Sequence, residues 1–271
     1  MIKVNGFVIK PTIFPDGTSQ IWKLPEGLLD NKYVTITWYF EAEREIIDLF
    51  GIRALVPSAK EIALHMPYMP YARQDKEVDN NSTFSLSVFA SIINSLHFSL
   101  VSTVDVHNPV KTKELIKNFE SYDVTTVQQI LIGVVNPDCI VYPDKGANDR
   151  YNAKLKSKLP TLVFPKDRDQ STGQITRDNM PPDVRETLED LGVLRSTLKR
   201  EPRFLIIDDI CDGGATFIGL ANVIHGIWSK ADVHLFVTHG LFSKGMKPLA
   251  DAGITAYTTN SLLKNVEGFN V

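Results

Sequence analysis

Cysteine is scarce in this 271-residue chain: only Cys139 and Cys211 occur, and no metal-ligand spacing links them. That argues against a disulfide framework or a zinc cluster, and the plain expectation is a reduced, cytoplasmic protein. Long apolar runs are missing too. Nothing approaches the ~20 residues that cross a bilayer, so no membrane partner is expected. The opening MIKVNGFVIKPTIF has neither the apolar core nor the small-residue cleavage site of a signal peptide. Neither sign of charge dominates, the formal net charge being −3, which lends no support to a nucleic-acid partner. Low-complexity stretches and Pro/Ser-rich linkers are also lacking. What remains is the composition of a globular protein, 43% hydrophobic and 23% charged, long enough for two compact domains.

Read in order, the chain alternates strand and helix signals. Residues 9–14 read as a strand, Pro15-Asp16-Gly17 as a tight turn and 19–24 as the returning arm of a hairpin. Residues 33–40 are rich in β-branched and aromatic side chains, the mark of a strand. Residues 41–50 read as a helix with Ile46, Ile47, Leu49 and Phe50 on one side. A strand at 62–66 precedes a helix at 83–96, whose apolar face is expected to carry Phe84, Val88, Ile92 and Leu96, and a strand at 100–106 follows. The alternation restarts with a strand at 138–142, a helix at 147–158 and a strand at 162–164. A polar stretch at 165–175 and a charged helix at 182–198 lead to strands at 204–207, 233–238 and 254–258. Such alternation predicts an α/β protein with parallel sheets covered by helices. Two units are expected, residues 1–135 and 136–271.

The stretch that organises the chain is 204–216, FLIIDDICDGGAT. An apolar strand stops on Asp208 and Asp209. A loop with Asp212, Gly213, Gly214 and Ala215 follows, and Thr216 stands where a helix should begin. A strand, a Gly-rich turn and a helix N-terminus make a phosphate cradle, because free N–H groups and the helix dipole converge there. The carboxylate pair suits ribose hydroxyls or a hydrated magnesium ion. Adjacent aspartates alone could equally be capping residues; the glycine loop and threonine shift the balance. A second charged loop, Met66-Pro67-Tyr68-Met69-Pro70-Tyr71-Ala72-Arg73-Gln74-Asp75-Lys76, leaves a strand end through a Pro- and Tyr-rich turn. Its cation, amide and carboxylate can grip the phosphates, base edge and ribose of a nucleotide; such loops are also often just solvated.

The first stretch resembles the ribose-phosphate-binding motif of the type I phosphoribosyltransferase fold, and the second resembles the long signature of the ribose-phosphate pyrophosphokinases (PRPP synthetases). Further likenesses run in the same order. Phe14-Pro15-Asp16-Gly17-Thr18 is similar to that family's adenine loop, with Thr18 where the family has Glu. Thr103-Val104-Asp105-Val106-His107 resembles the segment whose His helps hold the magnesium of MgATP. Asp144-Lys145-Gly146-Ala147 is similar to the pyrophosphate loop, with Ala147 in place of a Gly. Lys166-Asp167-Arg168 matches the catalytic loop, and Thr238-His239-Gly240-Leu241-Phe242-Ser243 follows a family segment to which no role is given.

The resemblance implies two tandem phosphoribosyltransferase-type domains and transfer of the β,γ-diphosphate of ATP to the anomeric hydroxyl of a ribose 5-phosphate. ATP would be bound by Phe14, Asp16, Thr18, Arg73, Gln74, Asp75 and His107. Magnesium would be held by His107 and Asp144, the diphosphate by residues 144–147, and the ribose phosphate by Asp208, Asp209 and residues 212–216. Lys166 and Arg168 would be catalytic. An adenine loop shared between subunits implies at least a homodimer. Gly213 and Ala215 stand where the family has Thr and Gly, so open space is expected beside the loop, and ADP-ribose stands beside ribose 5-phosphate as an acceptor. The 178–200 stretch is longer than the family's and could line that space. A phosphoribosyltransferase using PRPP and a catalytically silent regulatory subunit are the alternatives.

Overall fold

The computed structural model describes residues 1–28, 30, 32–57, 60–77, 79–164 and 200–262. Lys166, Arg168 and the 178–199 stretch lie outside the described residues. The chain forms two compact units, Met1–Asp123, which Ser261 and Leu262 rejoin, and Val124–Asn260. Each is an α/β unit built on a mainly parallel sheet.

In the first unit, β1 (Ile2–Val4) and β2 (Phe7–Ile9) form a hairpin closed by Asn5 and Gly6, both at positive φ. An Asn-Gly pair is the turn that matches strand twist. Next come β3 (Thr12–Ile13), β4 (Ser19–Gln20), β5 (Tyr33–Trp38), α1 (Glu45–Leu55), β6 (Glu61–Met66), α2 (Ser85–Ser95), β7 (Leu100–Val104), α3 (Pro109–Leu115) and β8 (Phe119–Tyr122). The six-stranded sheet runs β2-β1-β5-β6-β7-β8, parallel from β5 to β8, with β1 antiparallel to its neighbours.

Two expected helix faces are corrected. On α2 the buried residues are Leu86, Phe89, Ala90 and Ile93; of the expected face Leu96 is buried and Phe84 packs against the core, while Val88 is 59% exposed. Spacing by four drifts around a helix of 3.6 residues per turn, so a strict four-residue stripe cannot stay on the core. On α1 the core takes Leu49 and Ile52, and Ile47 and Phe50 face outward.

The second unit contains α4 (Thr125–Val135), β9 (Cys139–Tyr142), α5 (Lys145–Leu155), β10 (Thr161–Val163), β11 (Arg203–Cys211), α6 (Ala215–Ile227), β12 (Asp232–Gly240), α7 (Lys247–Asp251) and β13 (Ile254–Thr258). Its sheet, β10-β9-β11-β12-β13, is parallel throughout. Strand β11 is central and its residues Phe204–Ile207 are fully buried, as a strand covered on both faces requires. The strand does not stop at the aspartates. Its ladder with β12 continues through Asp208↔Val237, Ile210↔His239 and Cys211↔Gly240. Helices α3 and α4 and strand β8 have no counterpart in the sequence reading.

Candidate functional site

Apart from the turn of the antiparallel β3–β4 hairpin, the described candidate loops in both units leave the C-terminal ends of parallel strands, where open α/β sheets bind their ligands. A cleft of about 420 Å³ in the first unit, lined by Arg53, Lys60, Asn94, His97 and Lys117 among others, lies at the other end of its strands.

In the first unit, Phe14 and Thr18 close the β3–β4 turn by a backbone bond of 2.9 Å, with Gly17 at φ +84°. Asp16 Oδ1 accepts from the Thr18 hydroxyl at 2.7 Å and its N–H at 3.0 Å, which holds the Asp16 carboxyl below its ordinary pKa. Thr18, standing where the family has Glu, therefore braces the turn. Phe14 is partly exposed and sits edge-on to Trp22, ring centroids 6.4 Å apart.

After β6, Met69 and Ala72 anchor the loop in the core while Arg73, Gln74 and Lys76 stay exposed. Tyr71, at φ +63°, donates to Glu43 at 2.5 Å, and this bond, with burial, pushes its hydroxyl up to about 12. Asp75 Oδ2 accepts from Asn108 Nδ2 at 2.7 Å. Asn108 also caps α3, accepting from the Lys111 N–H at 3.1 Å, with Pro109 at the first helical position. One asparagine thus ties the Arg73–Asp75 loop to the His107 loop. Sequence reading missed it, although Asn before Pro ahead of a helix is a recognisable cap.

In the second unit, Asp144 is the N-cap of α5, its Oδ1 accepting from the Ala147 N–H at 2.9 Å. Ala147 is 2% exposed and faces the core, so its methyl group fills packing space. The N–H groups of Lys145 and Gly146 lie in the first turn, where a helix has no internal acceptors. Lys145 pairs with Asp149.

On β11, Asp209 is buried and its Oδ2 lies 3.0 Å from Arg150 Nη1 of α5. Arg150 also sits against the Tyr151 ring at 5.5 Å. Asp208 Oδ1 accepts the Asp209 N–H at 2.9 Å. Burial, and then the neighbouring Asp209 charge, raise the Asp208 carboxyl well above the usual carboxylate range, against the pull of Arg150. The two neighbouring carboxylates thus lie beside Arg150. Arg150 was also missed; its signal was a charged residue three positions after the buried Ala147, on a helix face that meets the sheet.

The 212–216 loop turns through Gly214 at φ +79°, the N-cap of α6. A Cβ on Gly214 would stand 3.0 Å from Leu249 Cδ2, so glycine is needed there twice over. The open space expected beside Gly213 is absent: the stem of Lys244 fills it, and a Cβ on Gly213 would meet Lys244 Cε at 3.4 Å.

No cluster of three or more His, Cys, Asp or Glu that could hold a metal occurs among the described residues. Magnesium does not need one, since it keeps waters and binds through one or two carboxylates plus substrate phosphates. Asp144, with one oxygen committed to its helix cap, fits that mode. No helix among the described residues is long and apolar enough to cross a membrane.

No family model matches the chain. Curated proteins do. The chain is 24% identical over 270 residues to the ribose-phosphate pyrophosphokinase of Saccharolobus solfataricus, covering 95% of this chain and 85% of that protein. It is 26% identical over 239 residues to that of Pyrococcus abyssi, covering 86% and 76% respectively. In fold it is similar to the crystal structure of phosphoribosylpyrophosphate synthetase from Mycobacterium smegmatis, with a TM-score of 0.69, 19% identity, and coverage of 96% of this chain and 83% of that one. The chain is thus similar over most of its length to curated ribose-phosphate pyrophosphokinases, and it shares the fold of a phosphoribosylpyrophosphate synthetase.

Proposed function

We propose that the protein is an ATP-dependent pyrophosphokinase whose acceptor is the anomeric hydroxyl of a ribose 5-phosphate unit. The observation that carries this reading is the second unit's pair of anion-ready helix starts, α5 after Asp144 and α6 after Gly214, with the Asp208–Asp209 pair on the strand between them in the sheet order β9-β11. A phosphoribosyltransferase would need the second unit's loops but not the Arg73–Lys76 signature. A silent regulatory subunit would be expected to have lost His107, Lys166 or Arg168, and the sequence retains all of them.

The acceptor oxygen attacks the β-phosphorus in line; the bond from that phosphorus to the bridging oxygen breaks, and AMP leaves with that oxygen. The hydroxyl proton passes to solvent. Asp208 and Asp209 orient the ribose hydroxyls. The free N–H groups of α6, with Thr216, receive the 5-phosphate, and those of α5 receive the diphosphate. Phe14, Asp16, Arg73, Gln74 and Asp75 hold ATP. His107 and Asp144 would each help hold magnesium, which would neutralise charge on the diphosphate. Lys166 and Arg168 are assigned to the transition state, so Lys166→Ala should lower kcat at least ~10²-fold with the fold intact. A shared adenine loop makes the active species at least a dimer.

A second acceptor class is a ribose whose 5-phosphate continues into another group, as in ADP-ribose. What favours it is the exposed Lys244 beside Gly213, a cation suited to a second phosphate. The deciding assay is AMP release from MgATP with each acceptor in turn. A strong preference for one acceptor assigns the substrate; no AMP with either removes the reading.

A further inference from the structure

We propose that Lys244 is a phosphate-binding residue of the acceptor subsite, reaching the phosphate on the 5-side of the ribose from beside Gly213. This rests on the pyrophosphokinase reading above.

The placement of Lys244 is fixed by backbone. After β12, the N–H groups of Leu241 and Phe242 donate to the Cys211 carbonyl at 2.8 and 3.2 Å, and that of Ser243 donates to the Asp212 carbonyl at 3.2 Å. The turn closes when Gly245 N–H donates to the Phe242 carbonyl at 2.7 Å. The segment after β12 is thereby strapped to the start of the 212–216 loop. Phe242 is 5% exposed and packs over Gly240, where a Cβ would stand 2.2 Å from its ring; only glycine fits. The Thr238–Ser243 segment, which carried no role in the sequence, thus acts as the bracket that holds Lys244.

From that anchor the lysine stem runs along Gly213. A Cβ there would meet Lys244 Cε at 3.4 Å, Cδ at 3.5 Å and Cγ at 3.7 Å, all ordinary contacts. The stem occupies the volume that a side chain at 213 would otherwise meet. The ammonium makes no ion pair or hydrogen bond with another described residue, and the side chain is exposed. Among the described residues this cation has no partner, and it is held on the rim of a loop whose helix N-terminus already favours anions. Loss of a hydroxyl donor at 213 is compensated by a charge that arrives from the next loop. An ammonium is a point charge on a flexible stem, and it can serve either the ribose's own 5-phosphate or a second phosphate attached to it.

The test uses full-length protein at saturating MgATP, comparing wild type with Lys244→Met, which keeps the stem, and Lys244→Arg, which keeps the charge. Lys244→Met is expected to raise the acceptor KM at least about fivefold, as for loss of a charge-assisted hydrogen bond at an open site. Its kcat and its KM for ATP should stay within about twofold, because other groups carry the transition state. Lys244→Arg should recover most of the loss. An equal rise for ribose 5-phosphate and ADP-ribose places the contact on the 5-phosphate; a rise for ADP-ribose alone places it on the adjoining phosphate. An unchanged acceptor KM, or a fall in kcat that arginine does not rescue, overturns the proposal. If wild type forms no AMP with either acceptor, the functional reading fails, and thermal shift by each compound without ATP decides Lys244 separately. A shift present in wild type and lost in Lys244→Met then upholds the contact; no shift in wild type overturns it.

Discussion

The two units treat their charged site residues in opposite ways. In the first, Arg73 and Gln74 stand exposed, Asp16 is braced only by its own turn, and Asp75 is tied by one neutral asparagine. In the second, two aspartates sit on a buried strand beside the half-buried Arg150, and the Asp208 carboxyl is raised well above the usual carboxylate range. Exposed loop residues cost the fold little and can adapt to a nucleotide. Buried carboxylates are held in one geometry at a cost in stability, the bargain that positioned sites strike. The first unit thus presents mostly exposed charged loop residues, the second a carboxylate pair held by contacts within the fold.

The difference can be broken most sharply at Arg150. Arg150→Ala removes the guanidinium 3.0 Å from the buried Asp209 carboxylate, and urea unfolding should show a loss of roughly 3 kcal/mol. A change no larger than that of an exposed residue would mean that the second unit is not organised around this pair.

Asp208→Asn should move stability the other way. Because the folded state raises the pKa of Asp208, the folded protein binds its proton more tightly than the unfolded chain does. That contribution is complete below the unfolded pKa of ~3.9 and is lost as pH rises through the raised folded value. At neutral pH the amide removes the repulsion, and Tm should rise by about 2–4 °C if ~1 kcal/mol is recovered, while AMP formation falls. A variant that gains stability and keeps full activity would clear Asp208 of contact with the ribose.

A smaller effect is expected in the first unit. Asn108→Ala removes both the α3 cap and the bond to Asp75, costing about 1 kcal/mol. It should raise KM for ATP and leave KM for the acceptor unchanged. An equal change in both would erase the division of labour between the units. Least of all, Thr18→Ala frees the exposed Asp16 and should alter stability by no more than ~0.5 kcal/mol, measured by thermal unfolding.

The parallel α/β character was legible because buried strands write themselves as apolar runs, as residues 204–207 do, and because glycine-rich turns mark the strand-to-helix joins. Boundaries were less so. The run of apolar residues ends at Ile207, yet the strand continues to Cys211 because β12 is long enough to keep pairing with it. That places Asp209 in the sheet, buried, where composition suggested an exposed strand end. Helix α4 carries Val127, Ile130 and Val134 on its exposed face, so its apolar pattern does not reveal which side is the core. The hairpin at Asn5-Gly6 was readable from its turn pair and was passed over. In the site, motif residues were visible as strings, whereas their partners were not. Arg150, Asn108 and Lys244 each act across a gap in sequence, from 31 positions for Lys244 to Gly213 to 59 for Arg150 to Asp209, and no local pattern carries that information.

The most direct measurement follows phosphorus in one tube: purified protein, MgATP, and ribose 5-phosphate or ADP-ribose, observed by phosphorus NMR. The account predicts AMP and a new anomeric diphosphate appearing in equal amounts with one of the acceptors, and no ADP. Formation of ADP, or no AMP with either acceptor present, would contradict it.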